Sequence, residues 1–280
     1  MMDASRFDAL ILTALDEDLG AAGDLTSESV IASDSVSDAV IVARRDGVIA
    51  GLPVAARVFE ILDPEIEVHL TEDDGSRVSA GTVLAELGGP SRPILVGERT
   101  ALNILGRASG VATATRALVD AVSGTGARIV DTRKTTPGLR ALEKYAVRMG
   151  GGANHRFGLH DAVMIKDNHI VAAGGIRSAV VAARARVGHT VKIEVEVTSL
   201  AELDELLDVG ADIVLLDNME PALMAEAVAR VAGSMITEAS GSVTIETVRG
   251  IAATGVDVIS VGWITHSAPN LDVALDFLAG

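Results

Sequence analysis

Cysteine is absent, and the rings are few: one tryptophan, one tyrosine and four phenylalanines in 280 residues. Without thiols there are no disulfides, no thiolate metal centres and no cysteine nucleophile. With 2% aromatics the core must be filled by Ala, Val, Leu and Ile, which dominate a composition that is 49% apolar. No uncharged apolar run approaches the ~18 residues of a membrane span. The opening residues, MMDASRFDALILTALDEDLG, are acidic and amphipathic. They show neither a basic region nor a small-residue cleavage site, so no signal peptide and a cytoplasmic location are expected. Positive charge is also scarce: 23 Lys and Arg stand against 39 Asp and Glu, a net charge of -16. A phosphate backbone needs a broad basic face, so nucleic acid does not suit this chain. There is no Gly-rich dinucleotide fingerprint and no Walker A sequence, which leaves Rossmann and P-loop nucleotide sites unsupported.

Against that acidic background the stretch Arg128–Ile170 stands out. It carries eight Arg or Lys residues (128, 133, 134, 140, 144, 148, 156, 166) and four acids (131, 143, 161, 167), a local sum of 8 - 4 = +4. It also holds His155, His160 and His169, half of the six histidines. Arg140, Glu143, Lys144 and Arg148 recur three and four apart, as on a solvated helix face. Arg133-Lys134, Asn154-His155-Arg156 and Lys166-Asp167-Asn168-His169 do not. They fall at element ends and in glycine-rich loops, where binding groups concentrate. A compact cationic island of this kind suits a small polyanion.

The spacing predicts an amphipathic helix over 4–19 and a turn-rich link after it. Two strands around Asp46-Gly47 are expected within 38–50 as a hairpin. A helix is expected to open at Pro53, and an alternating strand at 66–71. EDDGSRVSAGTVLAEL looks like the hairpin of a biotinyl or lipoyl carrier. Such carriers need a modifiable lysine, and the first lysine in this chain is Lys134. From Pro93 to about Val122 the pattern is helical, with small residues at Ala108-Ser109-Gly110 that suggest a break or close packing. Arg99 lies there beside Glu98.

After Gly126 short apolar runs alternate with helical segments. The runs fall at 128–130, 162–165, 191–197, 212–216, 234–237 and 256–261. Helices are expected at 138–149, 174–187, 199–208, 220–232 and 244–253. Strand–helix alternation means a parallel sheet with crossovers, here an α/β barrel. Polar residues follow run after run: Asp131-Thr132-Arg133-Lys134, Lys166-Asp167-Asn168-His169, Asp217-Asn218, Glu238-Ala239-Ser240-Gly241 and Gly262-Trp263. Glu194 and Glu196 lie within the third run. In a barrel of parallel strands those ends share one face, and active sites form there.

The residue types sort into two chemistries. Arg133, His155, Arg156 and Lys166 are donors for carboxylates, each charged hydrogen bond contributing about 1.5–3 kcal/mol. Glu196 and Asp217 are acceptors for sugar hydroxyls or for Mg2+. Lys192, Glu194 and Glu196 share a strand face. Glu194 reads best as a buried partner of a neighbouring cation. Ser240-Gly241-Ser242 and Val261-Gly262-Trp263 are tight loops of the kind that holds phosphate through backbone N–H groups.

Taken together these stretches resemble the quinolinate phosphoribosyltransferase family. The matching residues are EDLGAAGDLTS (17–27), ERTALNILGRASGVAT (98–113), DTRKTTPGLRALEKYAVRMGGGANHRFGLHDAVMIKDNHI (131–170), EVEVTSL (194–200), LLDNM (215–219), EASG (238–241) and VGWITHS (261–267). They cover nearly the whole chain, and no position departs where the family uses a charged group. The resemblance implies an N-terminal α/β sandwich domain (1–107, completed by the tail 268–280) and an open α/β barrel of parallel strands (108–267). It implies transfer of phosphoribosyl from phosphoribosyl pyrophosphate to quinolinate, giving nicotinate mononucleotide, pyrophosphate and CO2, with Mg2+ as cofactor. Arg99, Arg133, His155, Arg156 and Lys166 would hold quinolinate, Arg99 reaching into the neighbouring subunit of a homodimer. Lys134, Glu196, Asp217, Ser240, Gly241, Gly262 and His266 would hold phosphoribosyl pyrophosphate. Lys134, Lys166, Glu196 and Asp217 form the catalytic set, and Glu196 and Asp217 the Mg2+ ligands. Three other readings of the same residues stand beside it. They are a related transferase with a different acceptor, a Schiff-base barrel lyase using Lys166, and a non-catalytic dicarboxylate sensor.

Overall fold

The computed structural model describes residues 3–278. Two units emerge from the chain's own contacts: Met1–Ala114 with Thr136–Gly151 and Ser267–Gly280, and Thr115–Thr135 with Gly152–His266.

Unit 1 begins with a 3-10 turn (Ala4–Phe7), α1 (Asp8–Leu19) and α2 (Leu25–Val30), the last capped by Asp24, whose carboxylate accepts the N–H groups of Thr26 and Ser27. β1 (Val36–Ala43), β2 (Gly47–Val48), α3 (Leu52–Leu62), β3 (Glu67–Leu70), β4 (Arg77–Val78) and β5 (Val83–Pro90) follow, then the long α4 (Ser91–Ala121). The expected hairpin at Asp46-Gly47 does not form. β1 pairs with β5, and β2 pairs with β4. The chain turns at Asp46 but leaves the sheet there, because the Asp46 carboxylate accepts the Ala80 N–H on the β4 side at 2.9 Å. The carrier-like stretch likewise splits, with β4 on β2 and β5 antiparallel to β1 and β3. α3 buries Leu52, Val54, Ala55, Val58 and Phe59 on one face. Its first turn is capped by Asp74, which accepts from Gly51 and Leu52 N–H at 3.0 Å each.

α4 has no break at Ala108-Ser109-Gly110. The small residues serve close packing instead: Ser109 Oγ accepts the Ala50 N–H at 3.0 Å, and a Cβ built on Gly110 would meet Pro269 O at 2.1 Å. The tail then returns as β12 (Val273–Phe277), antiparallel to β1, giving the sheet order β12-β1-β5-β3.

α5 (Arg140–Met149) belongs to unit 1, although the sequence pattern placed it among the barrel crossovers. Its buried Glu143, 0% exposed, accepts from Arg107 at 2.7 Å and from the Thr136 N–H and hydroxyl. Tyr145 donates to Asp74 at 2.6 Å. A buried charge needs such partners, and unit 1 supplies them.

Unit 2 contains β6 (Arg128–Val130), β7 (Val163–Ile165), α6 (Asp167–Ala173), α7 (Ile176–Arg186), β8 (Ile193–Val197), α8 (Leu200–Val209), β9 (Ile213–Asp217), α9 (Pro221–Val231), β10 (Ile236–Ser240), α10 (Val248–Ala252), β11 (Val258–Ser260) and α11 (Trp263–His266). All pairings are parallel, in the order β6-β11-β10-β9-β8-β7. β6 and β7 are the edges, so the sheet is an open barrel, as expected. α6 was not expected. Lys166 caps it, with the Lys166 N–H donating to His169 Nδ1 at 3.0 Å. Among the described residues no helix is long and apolar enough to cross a membrane.

Gly110→Ala should lower the melting temperature by the equivalent of about 1–3 kcal/mol, the usual cost of overpacking. An unchanged thermal melt would show that the tail does not press on α4 at this point.

Candidate active site

Register decides which side chains meet inside unit 2. Glu194 lies opposite Ile213, Glu196 opposite Leu215, Leu215 opposite Glu238, and Asp217 opposite Ser240. Side chains alternate along each strand, so Lys166, Glu194, Glu196, Asp217, Glu238, Ser240 and Ser260 belong to one inward set. Their C-terminal members surround a cavity of about 190 Å3, lined chiefly by Arg133, Lys134, His155, Arg156, Lys166 and Glu238. The three cationic islands of the sequence therefore reach one place.

The loop carrying His155 and Arg156 is fixed from below. Asp131, 0% exposed, accepts from Asn154 Nδ2 at 2.6 Å and from the His155 N–H at 2.9 Å. Val130 bridges Ala153 as a parallel neighbour. Burial holds the Arg156 guanidinium below its usual pKa; the like charge of Arg133 adds to this, while Glu194 and Asp161 oppose it. A guanidinium opposed by a second like charge nearby suits an incoming anion.

His155 also lines the cavity, but both ring nitrogens are engaged. Nδ1 accepts the Arg156 N–H at 2.7 Å, while Nε2 faces Glu194 Oε2 at 3.1 Å and Glu238 Oε2 at 3.4 Å. Burial lowers the His155 pKa, but the hydrogen bonds to Glu194 and Glu238 outweigh it and push it up to about 10. Burial raises the Glu194 carboxyl, His155 opposes this and Glu238 adds to it. Both tendencies keep a proton in the cluster.

Lys166 Nζ pairs with Glu196 Oε2 at the cavity rim. Asp217, at the tip of β9, accepts from Asn218 Nδ2 at 2.9 Å. Backbone strain gathers here: Asn218 (φ 51), Gly241 (φ 103) and Ser242 (φ 46) are left-handed, and a Cβ on Gly241 would meet Asn218 Oδ1 at 2.1 Å. Strain of this kind marks sites that hold a ligand. On the other side Gly262 approaches Lys134 Cδ (2.9 Å from a built Cβ), Thr132 Oγ1 (3.5 Å) and His266 Nε2 (3.7 Å). Lys134 is anchored through its main chain, its N–H donating to Thr132 Oγ1 at 3.0 Å and its C=O accepting from Thr265 Oγ1 at 2.7 Å. Its side chain is left to solvent. Arg99 belongs to unit 1, with its side chain 65% exposed and Glu98 3.9 Å away. Sequence reasoning gave no role to Thr132, Met164, Leu215, Glu238 or Ser260, which also line the cavity. Strand parity from Glu196 and Asp217 was the signal that would have found them.

Family models describe the chain in two pieces. Residues 24–109 match the quinolinate phosphoribosyl transferase N-terminal domain and residues 111–276 the C-terminal domain. The chain belongs to the quinolinate phosphoribosyl transferase family. It is 46% identical over 260 residues to a probable nicotinate-nucleotide pyrophosphorylase [carboxylating] of Bacillus subtilis, covering 93% of this chain and 89% of that one. It is 40% identical over 284 residues to quinolinate phosphoribosyltransferase [decarboxylating] 1b of Nicotiana tabacum, covering 95% and 81%. The NadC crystal structure from Streptococcus pyogenes superposes with a TM-score of 0.95 at 38% identity over 100% of this chain and 99% of that one. The nicotinate-nucleotide pyrophosphorylase structure from Francisella tularensis gives 0.95 at 40%, over 99% and 98%.

Asp131→Ala leaves the Asn154 amide and the His155 N–H without their acceptor. The loss of the acceptor for the His155 N–H should cost about 1–3 kcal/mol of stability, read as a fall in thermal melting. An unchanged melt would mean that the 154–156 loop is not held from Asp131.

Proposed function

We propose that the chain transfers the phosphoribosyl group of phosphoribosyl pyrophosphate to the ring nitrogen of quinolinate. Carbon dioxide leaves from C2, and nicotinate mononucleotide and pyrophosphate are released. The observation that carries this reading is the pair Arg133 and Arg156 converging on one cavity with Lys166 at its rim. A ring bearing two adjacent carboxylates answers both guanidiniums; a monocarboxylate answers one.

The roles divide by strand tip. Arg133 and Arg156 grip the carboxylates, and Arg156 is oriented by His155, whose own nitrogens are spoken for. Lys134, beside Gly262 and His266, meets the pyrophosphate or 5′-phosphate oxygens. Ser240 and Gly241 supply the second phosphate loop. Glu196, turned toward Lys166, accepts a ribose hydroxyl while Lys166 faces the reacting centre. Asp217, together with Glu196, is the carboxylate that fits Mg2+, an ion that keeps several waters and takes its other ligands from substrate phosphates. When bound, Mg2+ would neutralise charge on the departing pyrophosphate.

Breaking the bond at ribose C1 leaves an oxocarbenium-like centre that the pyridine nitrogen attacks. The chain's contribution is position and fixed charge. The nitrogen becomes cationic next to the C2 carboxylate, and that charge stabilises the electron pair left as CO2 departs. No covalent bond to Lys166 is needed, which sets this apart from a Schiff-base lyase. Cytoplasmic residence, Mg2+, and a homodimer in which Arg99 completes the neighbour's site rest on the family resemblance.

The direct test is release of CO2 and pyrophosphate with quinolinate set against nicotinate as acceptor. Quinolinate should support both products, and nicotinate should support neither at comparable concentration. Equal turnover of nicotinate would overturn the reading. Arg133→Ala should raise KM for quinolinate by about tenfold to a hundredfold, the loss of one bidentate charged contact, and far more than it raises KM for phosphoribosyl pyrophosphate. Equal effects on the two would contradict the assignment. Mixing inactive Arg99→Ala and Glu196→Ala chains should restore part of the activity through hybrid dimers. Silence despite demonstrated subunit exchange would remove the shared site.

A further inference from the structure

The roles above leave the chain's only tryptophan unused. Trp263 opens the short helix α11, directly after Gly262, and is half-buried. Its indole Nε1–H donates to the Val243 C=O at 2.9 Å. A partly buried indole N–H needs an acceptor, but the carbonyl it finds belongs to another strand's loop. Val243 closes the turn Ser240-Gly241-Ser242, the second of the two phosphate loops. One side chain therefore joins the turn after β10 to the turn after β11. Trp263 itself does not line the catalytic cavity, whereas Ser240 does.

Each end of this link has its own reason to be fixed. On the β11 side, Thr265 is 0% exposed. Its hydroxyl lies 2.9 Å from the Gly262 C=O and 2.7 Å from the Lys134 C=O. The Gly262 contact is the local one that a helical threonine often makes. The Lys134 contact is not local, and it ties α11 to the tip of β6. Trp263 thus reaches out from an anchored helix. On the β10 side the backbone is strained, with Gly241 at φ 103 and Ser242 at φ 46. A non-glycine residue in the left-handed region persists only where its surroundings over-determine it. Two neighbours do so here. The Asn218 N–H, after β9, donates to the Ser240 C=O at 2.9 Å. Trp263 holds Val243 at the other end of the turn. Since β6, β11, β10 and β9 are consecutive in the sheet, Thr265, Trp263 and Asn218 span the three gaps between their tips in order.

We propose that Trp263 is a positioning residue for the phosphate groups of phosphoribosyl pyrophosphate, acting by clasping the 240–243 turn to the Gly262 turn. This rests on the reaction proposed above. The clasp sets the separation of the two phosphate loops before the ligand enters. Ordering them in advance removes a cost that binding would otherwise carry. Without the indole N–H, the strained turn keeps only its Asn218 side, and Ser242 is released to a relaxed conformation. The quinolinate grip does not run through this link, because Arg156 is held from Asp131 through the 154–156 loop.

The test compares wild type with Trp263→Phe, which keeps a ring in place and removes the N–H. Wild-type release of CO2 and pyrophosphate from quinolinate checks the proposed reaction itself, independently of the variant. In Trp263→Phe the KM for phosphoribosyl pyrophosphate should rise about threefold to tenfold, the worth of one neutral hydrogen bond. The KM for quinolinate should stay within about twofold of wild type, below that same hydrogen-bond effect. A merely structural indole would lower the melting temperature without separating the two KM values. A second measurement needs no variant, and it carries the test if Trp263→Phe does not fold. The sole tryptophan gives a single indole N–H signal in a proton–nitrogen correlation spectrum. That signal should move when phosphoribosyl pyrophosphate and Mg2+ are added to a level that raises the melting temperature. Quinolinate alone should leave it in place. A smaller rise in KM for phosphoribosyl pyrophosphate, an equal rise for both substrates, or an indole signal that phosphoribosyl pyrophosphate leaves unmoved would overturn the proposal. So would a signal that quinolinate alone moves as far.

Discussion

The structure depends on holding two guanidiniums together in an acidic protein. Arg133 leaves the tip of β6 and Arg156 follows a loop pinned to the same strand, through Asp131 and the Val130–Ala153 bridge. Their mutual repulsion is tolerable only because the backbone fixes both and because an anionic layer lies beneath. A doubly charged acceptor entering between them would relieve that repulsion. Parallel strands suit the task, since each ends on the same face and brings one or two polar groups to it.

Beneath the cations lies an unusual barrel interior. Glu194, Glu238 and His155 occupy places where aliphatic side chains ordinarily pack; Glu196 lies level with Glu238, both opposite Leu215, and Asp217 and Ser240 stand one step higher. Acids thus line the same open barrel whose cleft is cationic, in a protein of overall charge -16. Glu194 and Glu238 hold the imidazole that accepts the Arg156 N–H, and in the proposed reaction Glu196 and Asp217 face the sugar.

Much of this was legible in the chain. The six apolar runs became β6 to β11, because continuous branched-aliphatic runs separated by helical segments have few other folds. Arg133, His155, Arg156 and Lys166 came together because each follows a run by one to three residues or sits in the loop bound to one. Other features were not legible. α5 reads as a crossover by position, yet Glu143 finds its partners Arg107 and Thr136 in unit 1, and nothing local announces a long-range ion pair. The Asp46-Gly47 turn has hairpin chemistry, but turn type does not choose which strand receives β2. Glu238 escaped notice as a site residue because a lone acid inside a strand resembles any buried ion-pair partner until register shows which cavities it lines.

The central claim is that two cationic strand-tip groups close on two carboxylates of one small ring. A crystal structure of the enzyme with quinolinate bound tests it most directly. Both carboxylates should lie within hydrogen-bond distance of Arg133 and Arg156, with the ring nitrogen turned toward the Glu196 and Asp217 side. A ligand held through a single carboxylate, or seated away from these arginines, would contradict the account.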